Sequence, residues 1–270
     1  MTTAWIRVAF ALPQCVPEGS GGLSDPMDAR TPTALNRKLS AFVALSEAEL
    51  GVLDRLQRRR RRFAAGHDMV QQGQAPSRIY LLVSGWVCSY KVQADGTRQI
   101  VDFQVAGDFL GLRSLLLRTS DHSFEPVVDS YAAEVSAADL LAAFDEAPRL
   151  AISMLWAASR DQAMVVEHLV GVGRRDADAR MAHFLLELGS RLALVGLGDG
   201  DGYDCPLTQY HLADALGLTA IHVNRTLRRL RERGLMTFRD GHVHVEDRQG
   251  LVTLAGFDPA YLDQTGPLLA

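Results

Sequence analysis

The sequence has few cysteines, and none of them cluster. Cys15, Cys88 and Cys205 are the three present, and they form no CxxC pair and no Cys/His group. Their spacing excludes a disulfide framework, a zinc site and the set of thiolates that an iron-sulfur centre needs. We interpret them as buried or incidental thiols of a protein in a reducing compartment, with a catalytic cysteine as the alternative.

Segments that would direct the chain to a membrane are also missing. No hydrophobic run is long enough to span a bilayer. Residues 8–12 are too short for the hydrophobic part of a signal peptide, and Pro13 and Pro17 interrupt the region. We therefore expect a cytoplasmic protein without a membrane partner.

The chain has little excess charge and no pattern of catalytic residues. Its net charge is −4 over 270 residues, so affinity for nucleic acid has to come from a local basic face. An enzyme site on a barrel would use His67, His122 or Cys88, but these residues show neither metal-ligand spacing nor a nucleophile-base pattern. We expect a protein that is not an enzyme, long enough for two modest hydrophobic cores.

The first half of the chain predicts a leader followed by a β-rich domain. Residues 13–32 are rich in Pro, Gly, Ser and Thr, so we assign residues 1–34 to a flexible leader, and Met27 offers an alternative start. Helical spacing after residue 35, with Ser46 and Glu49 as a capping box, predicts two short helices. Short β-rich runs separated by turns follow, and residues 94–97 form the clearest hairpin signal. We assign residues 35–147 to an antiparallel β-roll, cupin-like, in an α+β protein.

A long helix is predicted next, over residues 148–172. Apolar and small residues recur along it at alternating spacings of four and three, which is the seam that a coiled-coil partner needs. The alternative is a helix packed on its own domain. Gly171 and Gly173 are predicted to end the helix and provide a hinge. The predicted dimer interface consists of Ala151, Leu155, Ala158, Gln162, Val165 and Leu169.

Residues 207–230 predict two short helices joined by a tight turn. Thr208 and Thr219 occupy N-cap positions, and Gly217 lies in the turn. The second helix is basic, and Glu232 is the single acid between residues 219 and 239, as phosphate neutralisation requires. A hairpin with a turn at residues 240–241 would form a wing. We assign residues 173–250 to a winged helix-turn-helix DNA-binding domain and 251–270 to a C-terminal tail.

From about residue 35 to residue 251 the chain resembles the Crp/Fnr family of bacterial transcription regulators, most specifically in residues 207–230. In that family a β-roll sensor, a dimer helix and a winged helix follow in this order. The resemblance implies a homodimer that binds a palindromic operator in double-stranded DNA, with RNA polymerase as a further partner if it activates. It also implies that Thr208, Gln209 and Thr219 contact phosphates and that Arg225 reads a guanine. With neighbouring positions, the predicted DNA-contacting residues are Thr208, Gln209, Thr219, Ile221, His222, Asn224, Arg225, Arg228, Arg229 and Arg239.

One departure from the family lies on the predicted recognition helix. Ile221 stands where many relatives have a base-reading glutamate, so the usual target sequence is not expected. An exposed isoleucine would suit a thymine methyl group in the major groove. The alternative is that Ile221 packs under a neighbouring loop.

A second departure lies in the sensor domain. Relatives that bind cyclic AMP carry a Gly-Glu-Leu segment and a later Arg-Ser pair, where this chain has Gly-Leu-Arg at residues 111–113 and Ser123-Phe124. Without that carboxylate and arginine we expect neither cyclic AMP nor an iron-sulfur cluster as cofactor. The effector is unknown, with Arg113 as a candidate anion-binding residue and haem left open. The alternative functions are a cyclic-nucleotide-binding signalling module and a small-ligand-binding cupin-like protein.

Overall fold

The computed structural model describes residues 32–75 and 78–263, so most of the predicted leader and the last residues of the tail lie outside the described residues. The α-helices are α1 (Ala34–Phe42), α2 (Glu47–Leu56), α3 (Ala137–Glu146), α4 (Pro148–Arg174), α5 (Ala177–Val195), α6 (Gln209–Leu216), α7 (Ala220–Glu232) and α8 (Arg248–Ala255). The strands are β1 (Arg60–Phe63), β2 (Ile79–Ser84), β3 (Trp86–Val92), β4 (Arg98–Val105), β5 (Phe109–Leu110), β6 (Ser123–Pro126), β7 (Ser130–Val135), β8 (Gly202–Asp204), β9 (Met236–Arg239) and β10 (His242–Val245). The two predicted N-terminal helices are present, and Ser46 and Glu49 form the predicted capping box of α2.

Two antiparallel sheets make up the sensor region. One has the strand order β1-β7-β2-β5, and the other has the order β4-β3-β6. The predicted hairpin joins β3 to β4, and Gly96 adopts a positive φ of 83° in its turn. The predicted antiparallel β-rich fold is therefore confirmed. Strand β1 was not predicted, because its sequence of three arginines and Phe63 lacks the alternation of a half-buried strand.

Helix α4 runs through the two glycines that were predicted to end it. It ends at Arg174, and Asp176 then caps the start of α5. The carbonyl groups at its C-terminus are bonded by Arg180, which donates to the oxygens of Gly171 at 2.9 Å and Val172 at 3.2 Å. These hydrogen bonds satisfy acceptors that a helix end otherwise leaves free. The prediction that the glycines end the helix is wrong.

One cluster of buried apolar side chains is shared by the sensor and the C-terminal region, whereas two further clusters are formed by residues 35–157 alone. Phe103 on β4 packs edge-on against Phe184 on α5, with 5.9 Å between ring centroids. Both rings lie in one buried cluster that continues into α6, α7 and α8. Cys88 and Cys205 are also buried there, and burial raises the pKa of each thiol to about 12. Both are therefore poor nucleophiles near neutral pH.

The region assigned to a C-terminal tail is partly structured. Helix α8 extends to Ala255, and a short 3₁₀ helix follows at Pro259–Leu262. The tail packs back on α4, where the Trp156 indole donates to the carbonyl oxygen of Asp263 at 3.1 Å. Within the described ranges, no helix is long and apolar enough to cross a membrane.

Candidate DNA-binding surface

The two helices α6 and α7 begin at the predicted threonine caps. Thr208 accepts a hydrogen bond from the backbone N–H of His211, and Thr219 accepts one from His222. The His211 Nδ1 accepts in return from the N–H of Thr208 at 3.2 Å, which completes a capping box. Burial, followed by the charge of Arg98, lowers the pKa of His211 and so favours this neutral acceptor form.

A glycine turn and an apolar face fix the two helices against each other. Gly217 ends α6 with a φ of 63°, a left-handed conformation that favours glycine. The inward-facing side of the two helices is mostly apolar and includes one buried threonine. Leu212, Ala213, Leu216, Val223, Thr226 and Leu230 are buried, and Leu227 is half-buried. The helix-turn-helix is therefore a rigid platform for its outer face.

The arginines of α7 differ in what they contact. Arg229 turns back towards α5, where its Nε donates to both carboxylate oxygens of Asp178 at 3.0 and 2.9 Å. Arg228 forms an exposed pair with Glu232 at 2.7 Å, one helical turn away. Arg225 is exposed and has no side-chain partner within the described part of the chain. Of the three, Arg225 is free to contact a ligand, and Arg229 anchors the helix.

The outer face of α7 also carries an apolar and an amide side chain. Ile221 is 73% exposed, so it does not pack under a neighbouring loop. Asn224 is exposed, and its amide donates to the Gln209 Oε1 at 2.5 Å, which links the start of α6 to α7. His222 is exposed beside them. Ile221, His222, Asn224 and Arg225 therefore share one open surface near the two helix N-termini.

The predicted wing is the hairpin of β9 and β10. Asp240 and Gly241 turn it with φ angles of 52° and 74°, and β8 adds a third strand. Arg239 lies exposed at the end of β9. A groove between the wing and α6 is lined by Thr208, Gln209 and Arg239, together with Tyr210. Tyr210 is largely exposed and was not predicted, because a single aromatic residue carries no pattern.

The predicted seam of α4 lies mostly on the surface of the single chain. Leu155 is 64% exposed and Leu169 is 72% exposed, and Gln162 and Val165 are also exposed. Ala151 and Ala158 are half-buried. Within the described residues, nothing covers this stripe. A helix packed only on its own domain would bury these side chains.

The sensor segments that differ from cyclic-AMP-binding relatives lie together. Arg113 pairs with Asp121 at 2.9 Å, and the Asp121 carboxylate also accepts from the His122 Nδ1 at 2.9 Å. Ser123 and Phe124 lie on β6. Burial lowers the pKa of His122, and the Asp121 hydrogen bond opposes that effect. Arg113 is therefore already matched by a carboxylate, which weakens its candidacy as an anion site.

Comparison with known proteins agrees with this arrangement. A family model of the cyclic nucleotide-binding domain matches residues 60–147, and a model of the Crp-like helix-turn-helix domain matches residues 179–254. The nitrogen fixation regulation protein FixK of Bradyrhizobium diazoefficiens is 31% identical over 212 residues, which cover 78% of this chain and 88% of FixK. The chain belongs to the Crp/Fnr family. It is a transcription regulator with a cyclic-nucleotide-binding-like sensor domain and a helix-turn-helix DNA-binding domain, and the prediction that it is not an enzyme is confirmed.

Other Crp/Fnr family members show the same extent of similarity. The fumarate and nitrate reduction regulatory protein of Escherichia coli is 24% identical over 212 residues, or 78% of this chain and 84% of that protein. The solved structure of FixK2 from Bradyrhizobium japonicum superposes with a TM-score of 0.65 at 26% identity and covers 74% of this chain and 98% of that one. The similarity therefore extends over the sensor domain, the long helix and the DNA-binding domain.

Proposed function

We propose that this Crp/Fnr regulator binds a palindromic DNA operator as a homodimer and reads its sequence with the outer face of α7. The observation that carries the proposal is Arg225, a guanidinium on an anchored helix with no partner in the described structure. Five fixed donors suit the two acceptors of a guanine edge. Ile221, one turn earlier, would meet a thymine methyl group.

Other polar groups of the same surface are proposed to contact the DNA backbone. Thr208, Gln209 and Thr219 lie at helix N-termini, where backbone N–H groups and the helix dipole favour phosphate. Arg228 and Arg239 are exposed cations at the edges of the surface. Arg229 is engaged by Asp178, so we assign it the role of orienting α7, with His222 and Asn224 as flanking contacts.

The exposed seam of α4 supports the homodimer. Two copies of α4 in parallel would bury Leu155, Val165 and Leu169 against each other with knobs-into-holes packing. Val172 continues the stripe by one further turn and is also exposed. A two-fold dimer presents two copies of α7, which is why we propose a palindromic operator. RNA polymerase is the further partner proposed if the regulator activates.

A salt titration tests the DNA-binding surface directly. Fluorescence anisotropy on a labelled duplex, between about 50 and 200 mM salt, should give a steep linear fall of log affinity with log salt. Arg228→Ala should reduce the slope by about one unit per lost phosphate contact. Arg118→Ala, an exposed arginine of the sensor loop, is the matched control and should leave the slope unchanged. A slope near zero for the wild-type protein would contradict the proposal.

A further inference from the structure

An open cavity of about 430 Å³ lies between the sensor sheet β4-β3-β6 and helix α4. Its volume is in the range of small-molecule sites. The apolar part of its wall includes Val101, Phe109 and Phe124. Polar groups line it from the sheet and from α4. Three carboxylates line it, Asp102, Asp121 and Asp161, against the single arginine Arg113.

Two of the three carboxylates have their own cations. The Asp102 carboxylate accepts from Arg191 at 2.9 Å, and Asp121 accepts from Arg113 at 2.9 Å. Asp161 takes part in no hydrogen bond or ion pair within the described residues. Burial, against the opposing charge of Lys38, raises the pKa of the Asp161 carboxyl to about 6, so the carboxyl is still ionised at pH 7 and above. The unmatched charge of the cavity is therefore negative.

A residue of the cavity wall, Gln104, carries a buried acceptor without a partner. The Gln104 side chain is 8% exposed, and its Nε2 donates to the Ser89 Oγ and to Asp102, both at 3.1 Å. Because a carboxylate can only accept, the Asp102 contact fixes which end of the amide is the nitrogen. The Gln104 Oε1 then has no hydrogen-bond partner among the described residues. A buried acceptor without a donor is costly, and a ligand donor would relieve the cost.

We propose that this cavity binds a small organic cation, an amidinium or a protonated amine, whose N–H groups donate to Asp161 and to the Gln104 Oε1. The apolar wall takes the flat remainder of the ligand. This inference names the effector class of the sensor domain, and so it rests on the proposed function. A cyclic phosphate would instead bring a second negative charge to the unmatched Asp161.

The second copy in the proposed dimer would close the cavity without neutralising it. Ala158, Gln162 and Val165 belong both to the cavity wall and to the seam. The seam positions Leu155, Ala158, Gln162, Val165 and Leu169 carry no cationic side chain, so the seam of a parallel partner helix supplies no cation to Asp161. In this proposal the ligand supplies the cation.

Ligand-observed nuclear magnetic resonance on the full chain tests the proposal with benzamidine as the cation and benzoate as the anion of similar shape. Benzamidine should bind the wild-type protein, and benzoate and cyclic AMP should not. Asp161→Asn keeps the shape and removes the charge, so it should weaken benzamidine binding about tenfold or more. Asp145→Asn, at an exposed acid on α3, is the matched control and should bind as the wild type does.

Three outcomes would overturn the proposal: binding of benzoate or cyclic AMP in preference to benzamidine, no benzamidine binding, or full binding by Asp161→Asn. Thermal melting checks that Asp161→Asn is folded, and we expect it to be at least as stable as the wild type, because it loses an unpaired buried charge. DNA affinity is measured on the same samples without any small molecule. A failure to bind DNA therefore counts against the proposed function alone, and a failure to bind benzamidine counts against the cavity alone.

Discussion

His183 is an imidazole enclosed by the aromatic side chains of the C-terminal tail. Its ring stacks on Tyr261 with 6.0 Å between centroids and meets Phe257 edge-on at 5.1 Å. Burial, followed by the charge of Arg175, lowers the pKa of His183 to about 4. As the pH falls, His183 is protonated near pH 6.5 in the unfolded chain, but only near pH 4 in the folded chain. Because the unfolded state binds the proton more readily, the folded state loses stability as the pH falls from about 6.5 towards 4.

The lowered pKa makes a testable difference in stability. Between pH 6.5 and about 4, protonation of His183 in the unfolded state should remove about 3 kcal/mol of unfolding free energy. His183→Phe keeps an aromatic ring and should show a correspondingly shallower loss in urea unfolding over the same range. The exposed His67→Phe is the control and should keep the wild-type profile. Parallel pH profiles for His183→Phe and wild type would contradict the assignment.

Individual residues of the site were predictable where local chemistry decides their role. The threonine caps and Gly217 follow from backbone hydrogen bonding and a left-handed turn, which depend on near neighbours in the sequence. The ion pair of Arg229 was not predictable, because its partner Asp178 lies 51 positions away on another helix. The position of Asp161 in a cavity was not predictable for the same reason, because the strands that form the opposite wall are distant from it in the sequence.

Helix α4 carries both a packed face and a face that no other described residue covers. Met154, Ala157 and Met164 are buried on the inner side, whereas Leu155 and Leu169 lie exposed on the outer side. The predicted seam and the alternative of packing on its own domain are therefore compatible, because they use different faces. The length of α4 was not predicted correctly. The low helix propensity of Gly171 and Gly173 is outweighed by contacts such as the hydrogen bonds that Arg180 donates to the end of the helix.

Disrupting the seam should separate the proposed dimer. Leu155→Asp combined with Val165→Asp would place unpaired charges in the interface, at about 3–5 kcal/mol for a buried uncompensated charge. Both positions are exposed in the single chain, so the variant should fold. Sedimentation velocity should show a monomer for the variant and a dimer for the wild type. Leu141→Asp, at an exposed leucine of α3 outside the seam, should stay dimeric, and a dimeric double variant would rule out this interface.

Polar contacts between distant parts of the chain link the sensor to the DNA-binding region. Arg191 on α5 pairs with Asp102 on β4 and with Asp108, each at 2.9 Å. Arg98 at the start of β4 pairs with Asp214 on α6 at 3.1 Å. Asp102 also lines the sensor cavity. A ligand in the cavity would therefore contact a side chain that is paired with Arg191 of the DNA-binding region. Such long-range pairs explain why element order was predictable from the sequence and domain placement was not.

Selection of bound sites from random duplexes shows whether a dimer of this chain reads a symmetric DNA sequence. A dimer that reads DNA with two copies of α7 should enrich an inverted repeat whose half-sites are about 10 base pairs apart, one helical turn. Arg225→Ala should lose preference at one symmetric base position, at about 1–3 kcal/mol per half-site, whereas Arg228→Ala should select the same sequence with weaker affinity. Enrichment of no symmetric sequence would contradict DNA binding by a two-fold dimer, and an unchanged sequence from Arg225→Ala would contradict the reading of a base by Arg225.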